Sequence, residues 1–341
     1  MTSTTDRAPV AVVTGASAGV GRAVAVALGR EGFDVALLAR GQGGVQAAAA
    51  EVGATGVRSL PVLVDVADFD GLQEAADRVE RDLGPIGLWV NNAMTTVFAP
   101  AWEVAPADFR RAVEVTFLGQ VWGTRVALDR MRPRDGGTIV NVGSALAYIG
   151  IPLQSAYCAA KFACRGYFES VRAELVHERS GVRLCMVHLP AVNTPQFDWC
   201  ETTLDRRPQP VPPIYQPEVA ARFIVRSALS GRRSKVVGSW NTLLVAAGSV
   251  LPGLGNQFAG LSAWDSQLGD DPVDPDRAVN LCRPVDAAHD RGAHGAFDGR
   301  SGGFFDPHFL RTLPATAVNF GRAIGRATRE KRRLRPRPLR S

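Results

Sequence analysis

Cysteine is scarce in this sequence: Cys158, Cys164, Cys185, Cys200 and Cys282 are odd in number, widely spread and never arranged as CxxC. That excludes a disulfide framework and a cysteine zinc site, and it suits a reducing cytoplasm. Histidine is equally thin. His177, His188, His289, His294 and His308 show no metal-ligand spacing, no HExxH and no accompanying carboxylate cluster, so no metal is expected. Long apolar runs are missing too. The opening MTSTTDRAPV has no apolar stretch behind a basic flank, which argues against a signal peptide and for a cytoplasmic chain. The apolar stretch 240–264 is broken by Pro252 and several glycines, whereas a membrane-spanning helix needs about 20 uninterrupted apolar residues.

Acidic charge is the minority, with a formal net charge of +6, but the excess is local. Residues 322–341 carry nine Lys or Arg (Arg322, Arg326, Arg329, Lys331, Arg332, Arg333, Arg335, Arg337, Arg340) against Glu330 alone, so the remainder of the chain is slightly acidic. The basicity belongs to a tail rather than to a binding face, and without interleaved aromatics it gives no nucleic-acid module. With 46% hydrophobic and 21% charged residues over 341 positions, the composition is that of a globular protein with one large domain and an extension.

What the sequence has in abundance is alternation. VAVVT, DVALLA, LPVLV, GLWVNN, GTIVNV and VRLCMVHLP are strand-like, and each is followed by a helical pattern or a turn. The helices start near Val20, run through the alanines at 47–50, reach Leu83, end near Met131, and span Ser155 to about His177. A further helix, Pro217 to Leu229, precedes a short strand KVVG. Strand–helix alternation with right-handed crossovers predicts an α/β, Rossmann-like, doubly wound parallel sheet of about seven strands. The expected organisation is a dinucleotide-binding catalytic domain over 1–240, an extension over 241–313 that packs on it, and a basic helical or disordered tail over 314–341.

Directly after the first strand comes Thr14-Gly15-Ala16-Ser17-Ala18-Gly19-Val20-Gly21, leading into a helix. Glycines there let the backbone turn sharply and approach a pyrophosphate, which rests on the unpaired amides and positive dipole end of that helix. The second strand ends Ala39-Arg40. Ala39 cannot hydrogen-bond the ribose 2′-hydroxyl of NAD, whereas Arg40 offers a planar cationic fork suited to a 2′-phosphate, so NADP(H) is expected rather than NAD(H).

Ser144 closes the fifth strand, at the carboxyl edge where such sheets bind ligands. Tyr157 and Lys161, four apart in SAYCAAK, share one helix face. A tyrosine with an ordinary pKa of ~10 needs a nearby cation before its phenolate is accessible near neutral pH, and Lys161 is placed to supply that charge.

The TGxxxGxG spacing, Asp65 in VDV, Asn91-Asn92-Ala93 and the Ser144, Tyr157, Lys161 set together resemble the short-chain dehydrogenase/reductase family over about residues 8–240. The resemblance implies that Gly15, Ser17, Gly19, Val20 and Gly21 cradle the cofactor. It implies that Asp65, with Val66 beside it, meets the adenine, and that Asn91, Asn92 and Ala93 wall the pocket. Pro190, Val192 and Thr194 in PAVNTP correspond to a loop on the carboxamide side of nicotinamide. Tyr157 would exchange the proton with the substrate oxygen, Ser144 would hydrogen-bond that oxygen, and Lys161 would hold the nicotinamide ribose. Met94 and Ala191 stand where the family usually has glycine. Thr116 stands where it usually has an asparagine that supports the proton path, and a threonine hydroxyl can bond to the preceding helical turn and perturb it.

The expected activity is NAD(P)(H)-dependent interconversion of a secondary alcohol and a ketone or aldehyde on a hydrophobic small molecule. Phe98, Trp102, Leu146, Phe197 and Trp199 are candidates for its pocket, or equally for core or interface. A catalytically silent NADP-binding sensor or scaffold is the competing reading: the intact Ser144, Tyr157 and Lys161 favour the enzyme, while Thr116 and the extension favour the alternative. A homo-oligomer through the helices flanking the fifth strand is expected from the resemblance. The stretch 240–264 must be covered, as an apolar lid or on a sister subunit in preference to lipid contact, and a basic amphipathic helix is predicted over 315–334.

Overall fold

The structure is a computed structural model that describes residues 8–231, 234–238, 242, 245, 260 and 263–302. Seven strands form the central sheet: β1 (Val10–Thr14), β2 (Asp34–Ala39), β3 (Ser59–Leu63), β4 (Ile86–Asn91), β5 (Gly137–Ser144), β6 (Val182–Leu189) and β7 (Ser234–Val236). They lie in the order β7-β6-β5-β4-β1-β2-β3, and every pairing is parallel. The expected Rossmann-like sheet is therefore present.

The sequence logic of the sheet is visible in β1 and β2, whose residues are all buried because helices cover both faces. Side chains alternate along the strands. Ala11, Val13, Val35 and Leu37 pack with helices α1 (Gly19–Arg30), α2 (Gln42–Gly53) and α8 (Pro217–Ser230). Val10, Val12, Ala36 and Leu38 face α3 (Phe69–Asp82), α5 (Gly119–Met131) and α6 (Ser155–His177) on the other side. Strand order reverses direction between β1 and β4, so a crevice opens at their carboxyl ends.

The helix expected to run unbroken to Met131 is instead interrupted. α4 (Pro106–Val113) passes into a π-helical turn, Glu114–Leu118, before α5 begins. The short helix α7 (Gln196–Trp199) follows β6.

Described parts of the extension lie on the core. Leu268–Pro272 pairs antiparallel with Arg206–Pro208, and Ser301–Gly302 runs beside Ile214–Tyr215, which in turn pairs with Ala191–Val192. Most of the apolar stretch 240–264 and the whole predicted helix 315–334 fall outside the described residues.

A buried polar knot ties α5 to the sheet: the Trp89 indole donates to Asn91 Oδ1 at 2.8 Å, and the Asn91 amide donates to Thr124 and Asn141 at 3.0 and 2.9 Å. A Cβ on Gly123 would stand 2.1 Å from Asn91 Oδ1, whereas one on Gly166 of α6 meets nothing within 4 Å. We expect Gly123→Ala to cost about 1–3 kcal/mol by breaking the knot, and Gly166→Ala to stabilise by about 0.4–1 kcal/mol through the unfolded chain. Urea midpoints of the two variants should move in opposite directions.

Candidate active site

The crevice is bounded first by the glycine turn. Gly15 and Gly19 have φ of +64° and +57°, the left-handed region that favours glycine. Gly21 has a different task, since a Cβ there would lie 2.1 Å from the Gly15 carbonyl and 2.5 Å from the Asn92 amide. The turn is pinned to the end of β4. The Thr14 hydroxyl accepts the Asn92 and Ala93 amides at 2.9 and 3.1 Å, and the Asn92 side chain donates to the Thr14 carbonyl at 3.0 Å. Gly15 sits directly on Ala93. Ser17 and Val20 lie at the mouth of α1, partly buried, where first-turn amides lack intrahelical partners. This cradle fits a dinucleotide pyrophosphate.

From the opposite side, the loop after β6 closes on the same turn, with Thr194 methyl carbon 3.1 Å from where a Gly19 Cβ would be. Val192 is held in its short strand against Tyr215, and Pro190 precedes it, partly buried.

The Ser144 and Tyr157 side chains stand beside each other, and the Ser144 hydroxyl accepts the Leu146 amide at 3.1 Å. Lys161, 2% exposed, donates to the Val142 carbonyl at 2.8 Å and places its Nζ 5.6 Å from the Tyr157 ring centre. The triad predicted from spacing is thus assembled at the carboxyl end of β5. Tyr157 as a residue is only partly buried. Burial pushes its phenol above its ordinary range, with Ser144 pulling against the rise. Burial likewise holds the Lys161 ammonium below its ordinary range. Burial thus favours the protonated phenol in the cofactor-free protein, with the Lys161 ammonium 5.6 Å from its ring centre.

Other site residues expected from sequence are differently placed. Thr116 is fully buried in the π-helical turn, and its hydroxyl turns away from the triad, donating to the Thr95 carbonyl at 2.7 Å and accepting the Thr95 amide at 2.9 Å. It bonds across to the loop after β4 rather than back to its own helix. Asn91 is consumed by the Trp89–Thr124–Asn141 knot rather than lining the crevice. Asp65 forms an ion pair with Arg111 and accepts the Ala67 amide at 3.0 Å, while Val66 packs on Gly119. Arg40 gives its terminal nitrogens to the Asn280, Leu281 and Cys282 carbonyls at 2.6, 3.2 and 3.2 Å, so its fork is engaged by the extension. Phe98 and Phe197 are buried in an aromatic cluster with Phe297, and Trp102 is 81% exposed. No cluster suited to a metal occurs among the described residues.

Sequence reasoning passed over His188. Its ring bridges the Tyr148 hydroxyl and the Ser144 carbonyl, each at 3.2 Å, and so braces the end of β5 from β6. Burial pushes its pKa down to about 4, with the Ser144 carbonyl opposing, so the ring is neutral. A lone histidine in a strand carries no sequence signal for such a contact.

The sequence profile of the short chain dehydrogenase family matches residues 9–203. The chain belongs to that family. It is 30% identical over 314 residues to the uncharacterized oxidoreductase YxnA of Bacillus subtilis, covering 92% of this chain and 88% of that protein. The putative oxidoreductase SadH of Mycobacterium tuberculosis is 32% identical over 241 residues, 67% of this chain and 86% of its own length. The 3-dehydrosphinganine reductase of Danio rerio is 29% identical over 243 residues, 69% and 73% of the two chains. Family membership makes this an oxidoreductase with a nicotinamide dinucleotide as its general cofactor. Among the described residues no helix is long and apolar enough to cross a membrane.

The buried neutral His188 has a measurable consequence. Its folded pKa lies below the ordinary 6.5, so its contribution is intact above that value and is lost as pH falls toward 4, where only the unfolded chain takes up the proton. Between pH 7 and pH 5 the wild-type protein should lose about 2 kcal/mol from this group. The loss should be smaller by about that amount in His188→Gln, compared by urea unfolding at both pH values.

Proposed function

We propose that the protein is an NADP(H)-dependent reductase that converts a ketone or aldehyde on a hydrophobic small molecule into the alcohol, with Tyr157 as the proton donor. The observation that carries this reading is Tyr157 set beside Ser144 and 5.6 Å from the ammonium of a lysine fixed by the Val142 carbonyl, all at the carboxyl edge of the sheet. Bound along the glycine turn, the nicotinamide dinucleotide supplies the hydride. Tyr157, kept protonated by burial, gives its proton to the substrate oxygen. Ser144 hydrogen-bonds the same oxygen, and Lys161 stands 5.6 Å from the ring of the phenolate left behind. Arg40 is the partner for a 2′-phosphate once its guanidinium is released from the extension's carbonyls. The substrate class follows from relatives named for 3-dehydrosphinganine and for estradiol, both largely apolar molecules. We place the enzyme in the cytoplasm as a homo-oligomer, in keeping with its composition and its family.

Tyr157→Phe should lower carbonyl reduction by about 10²–10⁴-fold while NADPH binding, followed by its fluorescence, is kept. Turnover undiminished in that variant contradicts the proton-donor role. Because the phenol is held protonated, reduction should stay level through neutral pH and fall only in alkali. Alcohol oxidation, which needs the ionised phenol, should climb with pH over the same range. Initial rates from pH 6 to about 10 check both limbs.

A further inference from the structure

Residues 280–292 of the extension cross the adenosine half of the crevice as a strap, and they take up the hydrogen-bond donors found there one after another. The Asn280, Leu281 and Cys282 carbonyls and Asn280 Oδ1 lie on the two terminal nitrogens of Arg40, and the Leu281 carbonyl also accepts from Arg111 at 3.2 Å. Farther along, the Asp286 and Ala287 carbonyls accept the Gly44 and Gly43 amides, both at 2.9 Å, in the first turn of α2. The Asp286 carboxylate, 6% exposed, occupies the space over Gly41 and Gly44, where a Cβ on Gly41 would stand 1.7 Å from its oxygen. Asp290 pairs with Arg22, and the Gly292 carbonyl accepts the Gly19 amide at 3.1 Å beside the glycine turn.

We propose that this strap and a 2′-phosphorylated adenosine compete for Arg40 and the first amides of α2, so that displacement of residues 280–292 is the step that reads the 2′ substituent of the cofactor. The inference rests on Arg40 as the phosphate partner. It follows from donor arithmetic: each N–H that faces the strap is already given to it, and a guanidinium cannot keep both neutral carbonyls and a phosphate on the same hydrogens. A phosphate dianion is the stronger acceptor for a guanidinium and takes it from neutral carbonyls, whereas a ribose 2′-hydroxyl is too weak an acceptor to do so. While the strap is seated, the Asp286 carboxylate repels a phosphate arriving at α2, which makes it a discriminating residue. The short backbone contacts at Gly43 and Gly44 explain the two glycines in Gln42-Gly43-Gly44: a Cβ on either would meet the strap at 3.1 or 2.4 Å.

The test is hydrogen–deuterium exchange of the full-length protein over peptides spanning 277–295, alone and with saturating NADP⁺ or NAD⁺, alongside calorimetric affinities for both in wild type, Asp286→Asn and Arg40→Ala. We expect NADP⁺ to raise uptake across 280–292 and NAD⁺ to leave it close to the free protein. Asp286→Asn should bind NADP⁺ about tenfold more tightly, by removing a like charge from the phosphate's position, with little change for NAD⁺. If NADP⁺ is preferred and Arg40→Ala abolishes that preference, yet uptake over 280–292 is unchanged or reduced, the strap covers the cofactor and the competition is overturned while the Arg40 reading stands. If Arg40→Ala leaves NADP⁺ affinity as it was, the Arg40 reading and the inference fall together. The wild-type exchange arm decides the matter even where a variant fails to fold.

Discussion

The site depends on one constraint: a lysine, one turn from Tyr157 on α6, must be enclosed at the edge of a parallel sheet without being left unsatisfied. Burying an ammonium is costly unless it is hydrogen-bonded, and the Val142 carbonyl at 2.8 Å meets that need from the last turn of β5 before Ser144. The same strand therefore fixes the cation and carries the serine that stands beside the phenol. His188 braces this strand end from β6, so two positions of β5, Val142 and Ser144, are tied from two directions. The glycine turn, clamped to the end of β4 through Thr14 and Asn92, holds the cofactor cradle against the same edge.

This arrangement separates two effects that sequence spacing merges. Proximity of Lys161 favours the phenolate, burial of the phenol favours the neutral form, and the net shift in the cofactor-free protein is upward. A protonated Tyr157 suits donation to a carbonyl, which is why we read the chemistry in the reductive direction. In the opposite direction the oxidised nicotinamide would already carry a positive charge when bound, and that charge would have to offset the burial for oxidation to compete at neutral pH.

Much of this was legible in the residues. Apolar runs of strand length alternating with helical patterns specified the sheet, and Ser144, Tyr157 and Lys161 stand together as their spacing required. What the residues did not show has a shared physical cause. Arg40, Asp65 and Asn91 have the right chemistry at the right strand ends, but each has a partner from a distant segment: the extension, Arg111 on α4, and Thr124 on α5. Thr116 lies in a π-helical turn and bonds to Thr95 rather than to the preceding turn. Sequence periodicity reports what a segment does with its own neighbours; it carries no information about which carbonyl from some 240 residues away lands on a given guanidinium.

The account turns on the protonation state of one phenol in the cofactor-free protein. Difference absorbance of wild type against Tyr157→Phe, followed near the tyrosinate band while pH is raised, isolates that group from the other tyrosines. The account predicts no Tyr157 ionisation below about pH 10, the ordinary tyrosine value. A one-proton tyrosinate signal appearing near pH 7 or 8 in the wild type and missing from Tyr157→Phe would show that Lys161 outweighs burial, and would contradict it.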